Sequence, residues 1–183
     1  YTRTLEDLRG LKIWVSGKIA VSMMKALGAT PVTMDAAEVY LSAEKGILDG
    51  VAWPANALVG RRIHELLKYV TDIALDSGCY YFVMNKDSYN RLPKDIQKII
   101  DDMGGEWGVK FAAERMNQAE SKTIDEMRNK GVEVISVSPQ ESARWNKAIE
   151  AVAGEEVAAL EAKRIPARKV YMELLKFAQG YKR

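Results

Sequence analysis

Histidine and cysteine, the residues that most often carry nucleophilic, acid–base or metal chemistry, occur once each in these 183 residues, as His64 and Cys79. A lone histidine cannot build a metal site, and at helical spacing between Leu58 and Leu67 it reads as a partly exposed residue on a helix surface. Cys79 has no second cysteine for a disulfide or a cysteine-based zinc site. Followed by Tyr80-Tyr81-Phe82-Val83, with no cation nearby to favour a thiolate, it reads as a small buried thiol in a strand. Carboxylates pair at Asp101-Asp102 and Glu155-Glu156, but adjacent helical residues point apart, so these are solvated faces and not acid–base dyads. Gly10, Gly17 and Gly28 lack the spacing of a dinucleotide fingerprint, and no phosphate-loop lysine follows a glycine run. The expected chemistry is therefore binding without turnover: no catalytic residue, no cofactor and no metal.

The elements that would position a binding site are legible. Leu11 to Val15 reads as a strand ended by Ser16-Gly17, Ile19 to Leu27 as a helix closed by Gly28, and Pro31 to Met34 as a second strand. Asp35, with Glu38 three residues on, starts a helix that stops near Gly46. Gly50 to Trp53 is a third strand, Pro54 opens a helix carried by Ala57 to Val70, and Ile73 to Leu75 and Cys79 to Met84 are strand-like runs. A long helical stretch from Pro93 to about Lys130 should loosen or kink at Gly104-Gly105 and Gly108 and end at Gly131. Val132 to Ile135 is a strand, Pro139 to Arg164 a helix, and Val170 to Tyr181 a terminal amphipathic segment. Short strands alternating with helices predict an α/β fold with a largely parallel sheet.

Composition excludes other classes of partner. The formal net charge is +2, with 27 basic and 25 acidic residues interspersed, so no footprint for nucleic acid appears. No apolar run approaches the roughly 20 residues that span a bilayer. The chain opens at Tyr1 and carries no signal peptide, from which removal of an N-terminal segment is expected.

Six ordered segments carry a resemblance. Asp7-Leu8-Arg9-Gly10-Leu11-Lys12-Ile13, Leu27-Gly28-Ala29-Thr30-Pro31-Val32, and Glu38 to Ala43 running through Gly46-Ile47-Leu48-Asp49-Gly50 come first. Lys68-Tyr69-Val70-Thr71, Met84-Asn85 and Leu92-Pro93-Lys94-Asp95-Ile96-Gln97 follow in order. In these segments the chain resembles the solute-binding proteins of TRAP (tripartite ATP-independent periplasmic) transporters, the likeness fading after about Ser138. The resemblance implies a periplasmic-binding-protein-like two-lobed α/β fold that encloses a small organic solute, usually a carboxylate, and delivers it to membrane permease subunits. By the same resemblance, Leu8 to Ser77 and Ala119 to Arg183 belong to the second lobe, and Gly78 to Gln118 returns to the first. The long helix bridges the lobes, and most of the first lobe lies outside this chain. Surface meant for that lobe would then drive self-association or retention of the missing N-terminal fragment. A ligand-sensing domain and an α/β enzyme fragment with its active site elsewhere are the alternatives.

Two family contact positions depart from the pattern. Where relatives usually carry a carboxylate-binding arginine this chain has Trp14, and where they often carry an asparagine it has Trp53. An indole has one N–H donor and no charge, so it replaces neither, but it presents flat apolar surface to a ring or alkyl chain. Two readings stay open: both indoles line a cleft for an aromatic or weakly charged solute, or both pack into the lobe. Ala36, where some relatives carry an aromatic residue, would leave room beside them; Asn56 would supply an amide, and Ser77 and Cys79 flank the return to the first lobe. Lys18, Arg61 and Arg62 are the nearest cations and read as surface charges.

Overall fold

The computed structural model describes residues 1–75 and 81–180. Its organising element is strand β1 (Lys12–Trp14), flanked in parallel by β2 (Thr30–Val32) and β3 (Gly50–Val51) in the order β2-β1-β3. Successive strand residues point to opposite faces. Ile13 and Val15 accordingly enter one buried cluster with Leu8, Met24, Leu27, Ala29 and Trp145, while Trp14 enters another with Val39, Leu48, Leu58, Ile63 and Met127. With both faces of β1 covered, the run Ile13-Trp14-Val15 is apolar throughout, as a parallel strand requires.

Helix α1 (Lys18–Ala26) covers the first face through Met24, and α2 (Val39–Glu44) covers the second through Val39. That alternation follows from right-handed crossovers that leave β1 in one direction and return past it in the other. Helix α1 closes as its sequence predicts: Gly28 N–H donates to Lys25 (3.0 Å) and Ala29 N–H to Met24 (3.0 Å), a Schellman closure needing the positive φ of 89° at Gly28.

The expected helix from Ala57 to Val70 is wrong in its second half. Helix α3 (Ala55–Gly60) is short, a 3-10 turn follows at Ile63–Glu65, and Tyr69–Asp72 forms strand β4. β4 pairs in parallel with β5 (Glu133–Ser136), Tyr69 opposite Glu133, so a partner distant in sequence overrides the local helical pattern. Ile73–Leu75 carries no regular structure; Ile73 and Leu75 pack instead against the Trp145 cluster. Of the run from Cys79 to Met84, Cys79 and Tyr80 lie outside the described residues, and Tyr81 to Met84 is irregular and exposed.

After α4 (Lys86–Asn90), the long helical stretch divides as expected at Gly104 into α5 (Lys94–Met103) and α6 (Gly105–Asn129). Gly108 fits because a Cβ there would lie 2.5 Å from the Met103 carbonyl oxygen. Only the C-terminal part of α6 is anchored: Thr123 and Met127 are buried, while Trp107, Phe111 and Met116 are exposed. Ser138 caps α7 (Pro139–Glu161), which packs on α1 and carries Trp145, and α8 (Ala167–Gly180) follows in contact with α7.

Arg144 of α7 clasps the N-terminal turn at Glu6–Leu8. Its Nη1 donates to Glu6 Oε2 at 3.2 Å and it also pairs with Glu141, which accepts the Leu5 N–H at 3.2 Å. The Arg144 hydrogen bond holds the Glu6 carboxyl below its ordinary value of 4.5. A carboxyl held low stabilises the folded chain above its unfolded pKa and loses that contribution as pH falls through the folded one. Arg144→Met should therefore flatten the decline of urea midpoint between about pH 5 and pH 3 relative to the parent. The difference is small because the pair is exposed, and superimposable pH profiles would refute it.

Candidate functional site

Open α/β sheets bind ligands beyond the carboxyl ends of their strands, where consecutive connections leave in opposite directions. Here that switch point lies between β1 and β3, and both tryptophans stand on it. Trp14 is the last residue of β1, opposite Val51, and its carbonyl accepts the Ala52 N–H at 2.9 Å. Trp53 follows two residues after β3, so the register brings the indoles into contact, their centroids 4.2 Å apart with planes tilted 54°. Their exposure differs. Trp14 is 2% exposed and its Nε1–H donates to the Met34 carbonyl at 3.2 Å, whereas Trp53 is half-buried against the same cluster. Trp14 backs the site and Trp53 fronts it.

The other expected site residues are more scattered. Ala36 is half-buried beside the Trp14 cluster, in the turn where Asp35 Oδ1 accepts the Ala37 N–H at 2.8 Å. Asn56 is exposed in the first turn of α3. Ser77 and Cys79 lie outside the described residues. Of the nearby cations, Lys18 pairs with Glu156 (3.1 Å) and Arg62 with Glu65 (2.9 Å), while the Arg61 guanidinium carbon lies 4.9 Å from the Trp53 ring centroid. Glu120 of α6 accepts the Ala55 N–H at 3.2 Å and so occupies the N-terminal end of α3. Neither the Arg61 contact nor the Glu120 contact was expected from sequence. The Arg61 contact spans only eight residues and is made by the length of the arginine side chain reaching back over the helix, whereas Glu120 lies 65 residues from Ala55.

His64 corrects its expectation. It is 4% exposed, with Lys130 Nζ 2.9 Å from Nε2, so the ammonium donates and the ring nitrogen accepts. Lys130 in turn pairs with Glu126 at 3.0 Å. The buried Nδ1 has no partner among the described residues, and the ring is a core element, not a ligand. Neither indole lines either of two surface depressions. One of about 430 Å³ is lined by Asp72, Glu120, Ser121, Ile124, Asp125 and Arg128; the other lies at the end of α8. The indole site is marked out by the strand topology.

A family model described as bacterial extracellular solute-binding protein, family 7 (DctP), matches residues 2–159. The chain belongs to that family. The C4-dicarboxylate-binding periplasmic protein DctP of Rhodobacter capsulatus is 26% identical over 166 residues, 90% of this chain and 50% of that protein. A solved TRAP solute-binding protein from an unidentified marine microbe, specific for aromatic acid ligands and bound to metahydroxyphenylacetate, superimposes with a TM-score of 0.87. It shares 24% identity over 99% of this chain and 58% of its own. A second, from Rhodoferax ferrireducens and containing copurified benzoate, gives a TM-score of 0.81 at 24% identity over 91% and 53% of the two chains. The α/β fold is thus that of TRAP periplasmic binding proteins, of which this family 7 chain spans about half the length. Among the described residues no helix is long and apolar enough to cross a membrane.

Proposed function

We propose that this chain supplies the second-lobe half of an extracytoplasmic receptor that captures a small organic acid with an aromatic or weakly charged body for a TRAP membrane permease. The carrying observation is the Trp14–Trp53 contact at the switch point, at positions where the family resemblance implies an arginine for the solute carboxylate and an asparagine. A half-buried indole backed by a second one is a rigid apolar platform with no charge, suited to a ring more than to a short dicarboxylate. Relatives bound to metahydroxyphenylacetate and benzoate keep company with this reading, which rests on the indoles and not on the shared fold. Family membership supports a periplasmic location and binding without catalysis.

In this proposal residues 8–77 and 119–183 form the second lobe, and 78–118 crosses back to the first. The burial of Thr123 and Met127 against the exposure of Trp107, Phe111 and Met116 supports a boundary within α6. First-lobe sequence, present in the longer relatives, would cover the exposed stretch.

Calorimetric titration of the protein from its complete gene with benzoate and with succinate tests the solute class. Benzoate should bind more tightly, and Trp53→Ala should weaken it by about tenfold, the loss of one aromatic contact. Preference for succinate, with affinity indifferent to Trp53→Ala, would overturn the reading.

A further inference from the structure

An organic acid received on two indoles still carries a carboxylate, and the structure points to the group that meets it. We propose that Arg61 is the anion-binding residue of this site, taking the carboxylate of an aromatic acid that lies against Trp53; this rests on the aromatic-acid reading above.

The assignment comes from the backbone at the end of α3. Arg61 N–H donates to Ala57 (3.0 Å) and Arg62 N–H to Val59 (2.9 Å), and Arg62 then adopts a left-handed conformation with φ 60°. A non-glycine residue enters that region only where the surrounding structure holds it. The reversal sends two adjacent arginines apart. Arg62 runs outward into a two-point pair with Glu65, Nε to Oε1 at 2.9 Å and Nη2 to Oε2 at 3.0 Å, which uses both carboxylate oxygens. Arg61 turns back over Trp53, its guanidinium carbon 4.9 Å from the ring centroid.

Charge at the site then resolves by elimination. Lys18, beyond the carboxyl end of β1, is neutralised by Glu156, and Arg62 by Glu65. The Arg61 guanidinium has neither a carboxylate nor a hydrogen-bond acceptor among the described residues; its contact is the indole. Contact with a ring face engages the charge of a guanidinium and leaves its fork of N–H donors unmet, and that fork matches a carboxylate in two-point geometry. The Ala55 N–H at the start of α3 is held by Glu120, about 9 Å away along the helix axis from Arg61, and the Trp14 indole N–H is held by the Met34 carbonyl. Arginine is thus restored to the site from the end of a helix, in place of the usual arginine on the strand.

The test compares benzoate with its neutral counterpart benzamide by calorimetry, on the protein from its complete gene and on Arg61→Gln, Arg61→Lys, Arg62→Gln and Trp53→Ala. Arg61→Gln should lose benzoate affinity by about tenfold or more while benzamide changes less than about twofold, the size of a lost charge-assisted pair. Arg61→Lys should recover part of the loss, since it keeps the charge without the planar fork, and Arg62→Gln should leave both probes unchanged. Benzoate affinity in the parent should fall with added salt more steeply than in Arg61→Gln. Benzoate binding that is lost in Trp53→Ala but intact in Arg61→Gln would overturn this inference and leave the aromatic reading standing. No binding of either probe by the parent protein would overturn both.

Discussion

Trp14→Ala is expected to lower the unfolding free energy by about 3–5 kcal/mol, the cost of truncating a fully buried tryptophan. Small domains are stable by only about 5–15 kcal/mol, so the variant should unfold at a much lower urea concentration. The indole is 2% exposed among Val39, Leu48, Leu58, Ile63 and Met127, and its loss opens a cavity that the short β1 cannot collapse to fill. It would also leave the Met34 carbonyl without its donor. Trp14→Phe separates the two effects, keeping much of the volume and losing the N–H, and should cost about 1–2 kcal/mol. A cost for Trp14→Ala below about 1 kcal/mol would mean that the indole stands in open cleft in solution, the reading in which both tryptophans line the site on equal terms.

The second large effect concerns association. Ile96, Ile99, Ile100 and Met103 repeat at i, i+3, i+4 and i+7 on α5, the spacing of a helix face made to be covered, yet they are 39%, 50%, 39% and 56% exposed. On the first turns of the next helix, α6, Trp107 and Phe111 stack in parallel at 5.2 Å, also exposed. So many large apolar side chains exposed on two consecutive helices are rare on a monomer. The 183-residue chain expressed alone should therefore sediment as a self-associated species at micromolar concentration. Ile99→Lys combined with Ile100→Lys should return it toward monomer with the helical circular dichroism preserved, since neither side chain supports the core. A monodisperse parent chain in sedimentation velocity would contradict the prediction.

Local grammar was readable. The helix closed by Gly28, the break at Gly104-Gly105, the stop at Gly131 and the parallel α/β order all follow from residues within a turn of the feature. What escaped was set at a distance. Tyr69 to Asp72 looked like the tail of a helix because the strand it joins is Glu133–Ser136. His64 looked exposed because the lysine that meets it is Lys130. Trp14 and Trp53 were singled out from their positions in the resemblance, but their contact depends on the pairing of β1 with β3, and their unequal burial on helices α2, α3 and α6 closing over one of them. Arg61 was weighed as one surface charge among three; the backbone reversal at Arg62, invisible in a run of two arginines, is what sets it apart.

The uneven anchoring of α6 has a mechanical consequence. The helix has the form of a lever with its fulcrum near Glu120, clamped on one side by Thr123 and Met127 and largely exposed on the other from Gly105 to Gln118. Its exposed arm runs about 22 Å at 1.5 Å per residue, so turning the clamped end by about 10° would sweep the tip through about 4 Å. The fulcrum touches the backbone of Ala55, two residues from Trp53. A displacement at the indole too small to alter the core would thus arrive magnified at the far end of the arm.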